Sequence, residues 1–200
     1  MCIMVKGYFG LPGSGKSTFL AKKAFQIRRK GFDVFVNEDF PIAGCYLYRF
    51  SDLGRFDVRN ATVLMDEVSL DADNRDFKTF SKRSKTFFIL HRHYHLDVNW
   101  CTQKYNGVDN KILNMTDQMY YIKRFLPQTS LATKISSIIY IPSRRNLSTT
   151  AGDITQTHVK SGLFDLIASP FTGALELCFR PKYYKYFDSF QAPEIGRAHV

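Results

Sequence analysis

The chain has 200 residues, of which 44% are hydrophobic and 23% are charged, and its formal net charge is +10 at pH 7. This composition supplies enough apolar side chains for a core, which excludes a disordered or fibrous chain. The excess of basic residues makes a polyanion such as nucleic acid the first candidate partner, and a surface that only maintains solubility or lies against anionic lipid is the alternative. Basic clusters are formed by Lys22, Lys23, Arg28, Arg29, Lys30, Lys82, Arg83, Lys85, Arg144 and Arg145.

The spacing of the cysteines and the length of the apolar runs indicate the redox compartment of the protein and whether it contains a membrane span. The four cysteines are widely spaced and form no Cys-x-x-Cys pair, which is typical of reduced, structural thiols in a cytosol; they are Cys2, Cys45, Cys101 and Cys178. The longest apolar runs, residues 87–90 and 138–141, are far shorter than the roughly 20 residues that span a bilayer. The N-terminus leads directly into a glycine-rich loop, so it is interpreted as a first strand and not as a signal peptide.

Residues 1–126 alternate predicted strands and helices, which is typical of an α/β domain with a parallel sheet. Strands are predicted at 3–9, 33–37, 61–68, 98–102 and 118–124. A helix is predicted at 16–30, with an apolar stripe through Leu20, Ala24 and Ile27 and with Gly31 after its end. A second helix is predicted at 76–94.

The remaining residues, 127–200, are predicted to form a β-rich extension packed on this core. A strand is expected at 134–141, a polar surface loop at 142–162 and a disordered end at 196–200. Between Arg180 and Phe187 cations are mixed with aromatic side chains, the combination that a platform for single-stranded nucleic acid uses. A strand that buries alternate aromatic side chains is the favoured interpretation of that run.

The strongest motif is Gly10-Leu11-Pro12-Gly13-Ser14-Gly15-Lys16-Ser17, which satisfies the Walker A pattern between a predicted strand and a predicted helix. Glycines let successive N–H groups turn towards phosphates, and the helix N-terminus favours the same negative charge. Lys16 is expected to reach the β- and γ-phosphates, Ser17 to bind Mg²⁺ and Thr18 to donate to the α-phosphate. A glycine turn without a ligand is the alternative. The candidate nucleotide-binding residues are Gly10, Pro12, Gly13, Ser14, Gly15, Lys16, Ser17 and Thr18.

A Walker B pattern follows at residues 62–67, an apolar strand that ends in two carboxylates. Asp66 is expected to hold the magnesium ion through its water shell, and Glu67 to polarise a water molecule for attack on the γ-phosphate. The alternative is a strand-end carboxylate that caps the next helix. The adjacent pair favours hydrolysis over transfer to a small molecule, because a water-activating glutamate would waste ATP in a kinase.

The next predicted strand also ends in a polar residue, Gln103. Its amide both donates and accepts hydrogen bonds, so it can orient the attacking water or sense the γ-phosphate. Lys16, Glu67 and Gln103 are therefore the candidate catalytic residues, and Ser17 and Asp66 the candidate metal ligands. Together they predict a P-loop NTPase fold with a mostly parallel central sheet flanked by helices.

These motifs, with Arg92-His93-Tyr94-His95-Leu96-Asp97 and Trp100-Cys101-Thr102-Gln103, resemble the cytoplasmic domain of the zonula occludens toxin family. These are filamentous-phage assembly ATPases within the HerA/FtsK class of ring-forming DNA pumps. The resemblance implies that Lys16, Ser17, Asp66, Glu67 and Gln103 carry ATP hydrolysis. It also implies single-stranded viral DNA and phage coat or assembly proteins as partners, in a homo-oligomeric ring such as a hexamer.

The same resemblance implies a place in the host cytoplasm, at the cytoplasmic face of the inner membrane. Members usually continue into a transmembrane helix and an outer domain, so a membrane contact is expected only through a segment outside these 200 residues. A toxin activity has no support in these residues.

Other functions remain open at this stage. A nucleotide or small-molecule kinase shares the glycine loop, and a non-enzymatic DNA-binding protein needs only the basic charge. A GTP switch is disfavoured because residues 110–113 lack the aspartate of an Asn-Lys-x-Asp motif. A metal site at His91, His93 and His95 is disfavoured because no third ligand is evident on one helix face. Candidates for an arginine supplied by a neighbouring subunit are Arg75, Arg83, Arg92 and Arg124.

Overall fold

A computed structural model describes residues 3–71, 82–103, 105–126, 128–134, 137–140, 157–160 and 175–187. The strands are β1 (Val5–Phe9), β2 (Val34–Asn37), β3 (Tyr46–Tyr48), β4 (Thr62–Met65), β5 (Asp97–Thr102), β6 (Gln118–Leu126), β7 (Thr129–Lys134), β8 (Ser137–Tyr140), β9 (Thr157–Lys160) and β10 (Leu175–Phe179). The helices are α1 (Lys16–Arg28), α2 (Val68–Asp71), α3 (Lys82–Leu90) and α4 (Asn110–Asn114). Short 3₁₀ helices lie at Phe50–Asp52, Tyr105–Gly107, Arg180–Lys182 and Tyr184–Tyr186.

Eight strands form one sheet in the order β10-β7-β6-β1-β5-β4-β2-β3. The six strands from β6 to β3 are parallel, whereas β7 is antiparallel to both of its neighbours. Strands β8 and β9 pair separately as an antiparallel hairpin. The predicted α/β class with a mostly parallel sheet is confirmed. This order places β5 between β1, which precedes the glycine loop, and β4, which is followed by Asp66 and Glu67.

Two apolar layers cover the sheet. Helix α1 packs on one face through Phe19, Leu20 and Ala24, and the other face carries Trp100 with the apolar side chains of α3 and α4. All residues of β4 and β5 are buried, as expected for central strands of a parallel sheet. A Cβ at Gly7 would overlap the Trp100 ring, so this glycine lets the indole lie against β1.

Several predicted boundaries differ from the structure. The strand predicted at 61–68 ends at Met65, because Glu67 has a left-handed backbone with φ of 46° and Val68 begins α2. The helix predicted at 76–94 ends at Leu90, and residues 91–95 form turns; its portion at 76–81 lies outside the described residues. Strand β3 and helix α4 were not predicted, since elements of three and five residues leave little periodicity to detect.

The C-terminal part also departs from expectation. The strand predicted at 134–141 is divided between the end of β7 and β8, and β9 lies inside the predicted polar loop. The rest of that loop and residues 196–200 lie outside the described part of the chain. The run from Arg180 to Phe187 forms two 3₁₀ helices instead of a strand, but it does bury Tyr183 and Phe187. The proposed division at residue 126 stays a prediction; β7 and β10 belong to the same sheet as β6.

Three cysteines, Cys45, Cys101 and Cys178, are free thiols, and Cys2 lies outside the described residues. Burial raises the pKa of the Cys178 thiol to about 11. Burial also raises the pKa of the Cys45 and Cys101 thiols. All three thiols are therefore protonated at neutral pH and serve in packing. Within the described residues, no helix is long and apolar enough to cross a membrane.

Candidate nucleotide-binding site

The loop between β1 and α1 has the backbone that its glycines allow. Gly13 and Gly15 have φ values of 73° and 95°, in the left-handed region that side chains disfavour. A Cβ at Gly10 would overlap the Ile122 carbonyl of β6. Gly15 is the N-cap of α1 without a side-chain cap, so the first N–H groups of the helix open into the loop. This is the geometry of a phosphate-binding helix N-terminus.

Lys16 lies folded over this loop. Its Nζ donates to the carbonyl oxygens of Gly10, at 2.9 Å, and Leu11, at 3.2 Å, and the residue is 7% exposed. A phosphate held by the loop amides would be a stronger partner for the ammonium than these neutral carbonyls. Leu11 itself is 68% exposed at the tip of the loop, next to Pro12.

The Walker A and Walker B residues meet directly. Ser17 Oγ donates to Asp66 Oδ2 at 2.7 Å, so the two candidate metal ligands share one site. Both present hard oxygen donors of the kind that Mg²⁺ prefers. Burial raises the pKa of Asp66 to about 6, the neighbouring Glu67 adds to the rise, and the hydrogen bond from Ser17 opposes it. A magnesium ion at this position would favour the ionised carboxylate, so the donor set fits the ion.

Asn37, which was not predicted, positions Asp66. This residue ends β2, the neighbour of β4, and is 3% exposed. Its Oδ1 accepts from Asp66 N at 2.9 Å, and its Nδ2 donates to Asp66 O at 3.2 Å. The only signal in the sequence is a polar residue at the end of a predicted strand. The sequence does not indicate that this strand pairs with β4.

Glu67 connects β4 to β5. Its Oε1 accepts hydrogen bonds from Ser69 Oγ at 2.5 Å, Thr102 Oγ1 at 3.2 Å and Gln103 N at 3.2 Å. Thr102 pairs with Phe9, the residue before the glycine loop, so the loop and Gln103 follow neighbouring strands. The Gln103 side chain is exposed at this edge. The structure thus brings Lys16, Ser17, Asp66, Glu67 and Gln103 to one end of the sheet.

Thr18, expected at the α-phosphate, is 4% exposed in the first turn of α1. Its carbonyl oxygen is 3.9 Å from Cys178 Sγ of β10. The residue therefore lies where α1 contacts the C-terminal strand.

The candidate arginines occupy different places. Arg124 Nη2 lies 3.5 Å from the carbonyl oxygen of Gly13, in the same chain's loop. Arg92 pairs with Asp117 at 2.7 Å, and Asp117 also accepts from Val5 N, so Arg92 lies at the opposite end of β1. Arg83 is exposed on α3, and Arg75 lies outside the described residues. A further arginine, Arg180, donates from Nη1 to Gly13 O at 3.4 Å, and no motif in the sequence signals it.

The histidine triplet does not share a helix face, because residues 91–95 follow the end of α3. His91 is buried, and its Nδ1 lies 2.6 Å from the Phe88 carbonyl. Among the described residues, no group of three His, Cys, Asp or Glu side chains is arranged to hold a metal ion.

No family model and no curated protein matches this sequence. Solved structures do match. The N-terminal domain of zonular occludens toxin from Neisseria meningitidis aligns over 94% of this chain and 100% of its own, with 13% identity and a TM-score of 0.56. The genome packaging NTPase B204 from Sulfolobus turreted icosahedral virus 2, in complex with sulfate, aligns over 68% of this chain and 94% of its own, with 12% identity and a TM-score of 0.52. The same NTPase in complex with ATP-gammaS aligns over 66% and 92%, with 11% identity and a TM-score of 0.51. The fold expected from the resemblance is therefore confirmed.

Proposed function

We propose that this chain is a P-loop ATPase that hydrolyses ATP with Mg²⁺ to move or assemble viral DNA. The observation that carries the proposal is the contact between Ser17 and Asp66 at 2.7 Å beside the glycine loop. Glu67 lies next to that pair and bonds to the end of β5. Loop, metal ligands and candidate base therefore occupy one site, as hydrolysis of a phosphoanhydride requires.

Each residue has a role that follows from its position. The loop amides and Lys16 bind the phosphates, and Ser17 and Asp66 hold the magnesium ion. When bound, that ion neutralises charge on the β- and γ-phosphate oxygens. The Glu67 carboxylate accepts the proton of the attacking water, while Gln103 orients that water. Hydrogen bonds from Thr102 Oγ1 and the Gln103 backbone N–H hold the Glu67 carboxylate at the end of β5.

The structural neighbours support a viral role as an analogy. One is named a genome packaging NTPase and was solved with ATP-gammaS, and another is the N-terminal domain of a zonular occludens toxin. Export or assembly of filamentous phage DNA, at the cytoplasmic face of the host inner membrane, is the specific form that we propose. A homo-oligomeric ring and contacts with phage coat or assembly proteins belong to the same proposal.

A surface suited to single-stranded DNA lies at the far end of α1. Phe25 packs against Tyr183 and Tyr186, with ring centroids 6.1 and 5.2 Å apart. Arg29 and Lys182 lie over the Phe25 ring, at 5.7 and 6.0 Å. Lys185 lies over Tyr186 at 5.2 Å, and Tyr184 is 49% exposed. We call residues 25, 29 and 182–186 the aromatic-basic patch. Its exposed cations suit phosphates and its exposed Tyr184 ring suits a stacked base, whereas Tyr183 is buried and packs against Phe25.

Not every basic residue is available for such a role. Lys22 and Lys23 both pair with Glu176 of β10, at 3.7 and 2.7 Å. Both ammonium groups are therefore engaged in ion pairs that connect α1 to β10. The DNA contact is assigned to the aromatic-basic patch instead.

The alternatives fit the site less well. In a GTP switch the Asn-Lys pair lies in a loop beside the base, whereas Asn110 and Lys111 begin α4 after the N-cap Asp109. For a kinase, Glu67 beside Asp66 would waste ATP on water. A non-enzymatic DNA-binding protein would leave the hydrogen-bonded Ser17, Asp66 and Glu67 cluster without a role.

The test is ATP hydrolysis with and without single-stranded DNA. We expect turnover that requires Mg²⁺ and increases when single-stranded DNA is added. Transfer of phosphate to a small acceptor, or DNA binding with no hydrolysis in any oligomeric state, would contradict the proposal.

A further inference from the structure

The outer side of the glycine loop is held by residues from the C-terminal part of the chain. Ser130 of β7 donates from Oγ to the Ser14 carbonyl at 2.5 Å, and Arg180 donates from Nη1 to the Gly13 carbonyl at 3.4 Å. Ser130 is fully buried, and Arg180 is 7% exposed. Neither residue belongs to a nucleotide-binding motif. The Ser14 carbonyl is thus bound by the Ser130 hydroxyl and the Gly13 carbonyl by the buried Arg180 guanidinium, while the exposed Arg124 reaches the same Gly13 oxygen at 3.5 Å.

The same two residues explain the need for glycine at position 15. A Cβ at Gly15 would overlap Ser130 Oγ and would lie 2.9 Å from Arg180 Cδ. The loop is therefore packed against Ser130 and Arg180 without space for a side chain. Any displacement of these two side chains would open a gap directly behind the loop.

The segment that carries Arg180 is anchored independently of the loop. Arg180 N donates to the Gln128 carbonyl at 2.9 Å, beside the turn between β6 and β7. Along α1, Glu176 pairs with Lys23 at 2.7 Å, and Lys22 donates to the Leu177 carbonyl at 2.9 Å. Strand β10 is also paired with β7 along its length. Arg180 thus directly follows an anchored strand, as the first residue of the 3₁₀ helix Arg180–Lys182.

The carbonyl hydrogen bonds have a consequence for phosphate binding. In a trans peptide unit, the carbonyl oxygen and the N–H of the next residue point in opposite directions. Binding of the Ser14 carbonyl by Ser130 therefore turns the Gly15 N–H away from Ser130 and into the loop. The Arg180 charge adds positive potential behind the same peptide units, which favours an anion on the inner side.

We propose that Ser130 and Arg180 are positioning residues that keep the glycine loop in its phosphate-binding conformation before nucleotide binds. This role rests on the proposed ATPase function for its kinetic meaning. Its structural part, the rigidity of the loop, can be measured without nucleotide. We call the two residues the loop brace.

The experiment compares Ser130→Ala, Arg180→Met and Arg180→Lys with the wild-type chain. Arg59→Gln is the matched control, because it removes an exposed arginine whose ion pair with Asp57 lies away from the loop. Two quantities are measured: hydrogen exchange without nucleotide of the amides of residues 10–16 other than Pro12, above all that of Ser14, whose N–H donates to the Leu11 carbonyl, and the Kd of a non-hydrolysable ATP analogue with Mg²⁺. Steady-state kcat and KM are measured beside them.

For Ser130→Ala and Arg180→Met we expect about tenfold faster loop exchange and about tenfold weaker analogue binding, the usual scale for removal of one buried hydrogen bond. Arg180→Lys should restore part of both, because it keeps the charge. The change should fall mainly on KM, with kcat at saturating ATP altered much less, since neither residue touches the reacting atoms. Arg59→Gln should match the wild type in every measurement.

The proposed role of the loop brace would be refuted if Ser130→Ala and Arg180→Met both showed the exchange rates and the analogue affinity of the wild type. Faster loop exchange in these variants, in a protein whose wild type binds no nucleotide, would support the brace and refute the proposed ATPase. If Arg180→Met does not fold, Ser130→Ala, which removes a single oxygen atom, decides the outcome by the same two measurements.

Discussion

Ser17 Oγ and Asp66 Oδ2 are joined by a 2.7 Å hydrogen bond between residues 49 positions apart in the chain. The bond links the first turn of the helix after the glycine loop to the end of β4. Asp66 is partly buried, and its pKa is raised to about 6. This one contact connects metal binding, protonation and the stability of the fold.

The first prediction concerns pH. The folded chain holds the Asp66 proton more tightly than the unfolded chain, whose carboxyl has the ordinary pKa of 3.8. The contribution of Asp66 to the free energy of unfolding is therefore fully present below pH 3.8 and is lost as the pH rises through about 6. Magnesium competes with this proton, so the half-saturating Mg²⁺ concentration should rise by up to about tenfold for each pH unit below about 6 and level off above about pH 7.

Titration of Mg²⁺ into the protein with an ATP analogue, at a series of pH values, measures this effect. Asp66→Asn should bind Mg²⁺ weakly and with little pH dependence. A wild-type affinity that does not change between about pH 5 and 7 would exclude Asp66 as the metal ligand.

The second prediction concerns Asn37. Asn37→Ala removes both hydrogen bonds to the Asp66 backbone and leaves buried backbone groups unpaired, which should cost about 1–3 kcal/mol of unfolding free energy. It should also lower kcat, because Asp66 and Glu67 lose their fixed position. Chemical denaturation and steady-state kinetics measure the two effects. Asn114→Ala, at an exposed position of α4, is the control and should change neither.

The sequence predicts the residues that carry the chemistry of this site better than the residues that hold them in position. The glycine loop is local, so its pattern alone predicts the strand, the loop and the start of α1. The supporting residues reach the site only because of the order of strands in the sheet; they are Asn37, Ser130 and Arg180. Arg180 lies 167 residues from its partner Gly13. A single sequence carries no signal of that proximity. The helix predicted at 76–94 ends four residues early, at Leu90, and the sequence gives no stop signal there because residues 91–94 contain neither Gly nor Pro.

The third prediction concerns DNA. Replacing Lys182 and Lys185 with Gln should weaken binding of single-stranded DNA and reduce the slope of log affinity against log salt by about one for each phosphate that the variant no longer neutralises. Fluorescence anisotropy across a salt series measures the slope. Arg55→Gln, which breaks an exposed pair with Asp52, is the control. An unchanged slope in the double variant would move the DNA-binding surface away from the aromatic-basic patch.

The fourth prediction concerns assembly. If a neighbouring subunit supplies an arginine to the transferred phosphate, turnover per subunit should rise with protein concentration, because such an arginine typically contributes about 10³ to 10⁵ in rate. Mixing Lys16→Ala with an alanine variant of Arg83 or Arg92 should then restore activity at mixed interfaces, whereas an alanine variant of Arg124, which lies at its own chain's loop, should not be rescued. Constant specific activity and no recovery in any mixture would mean that one chain contains the complete site.

The separation of nucleotide binding from hydrolysis by Glu67→Gln tests the central claim most directly. Glu67 is the candidate base, and the substitution keeps its size and most of its hydrogen bonds. We expect Glu67→Gln to bind Mg²⁺ and ATP as the wild type does and to lose at least about 10² in kcat, the usual contribution of a general base. Lys16→Ala should lose binding itself. Hydrolysis by Glu67→Gln at the wild-type rate under saturating ATP would contradict the account.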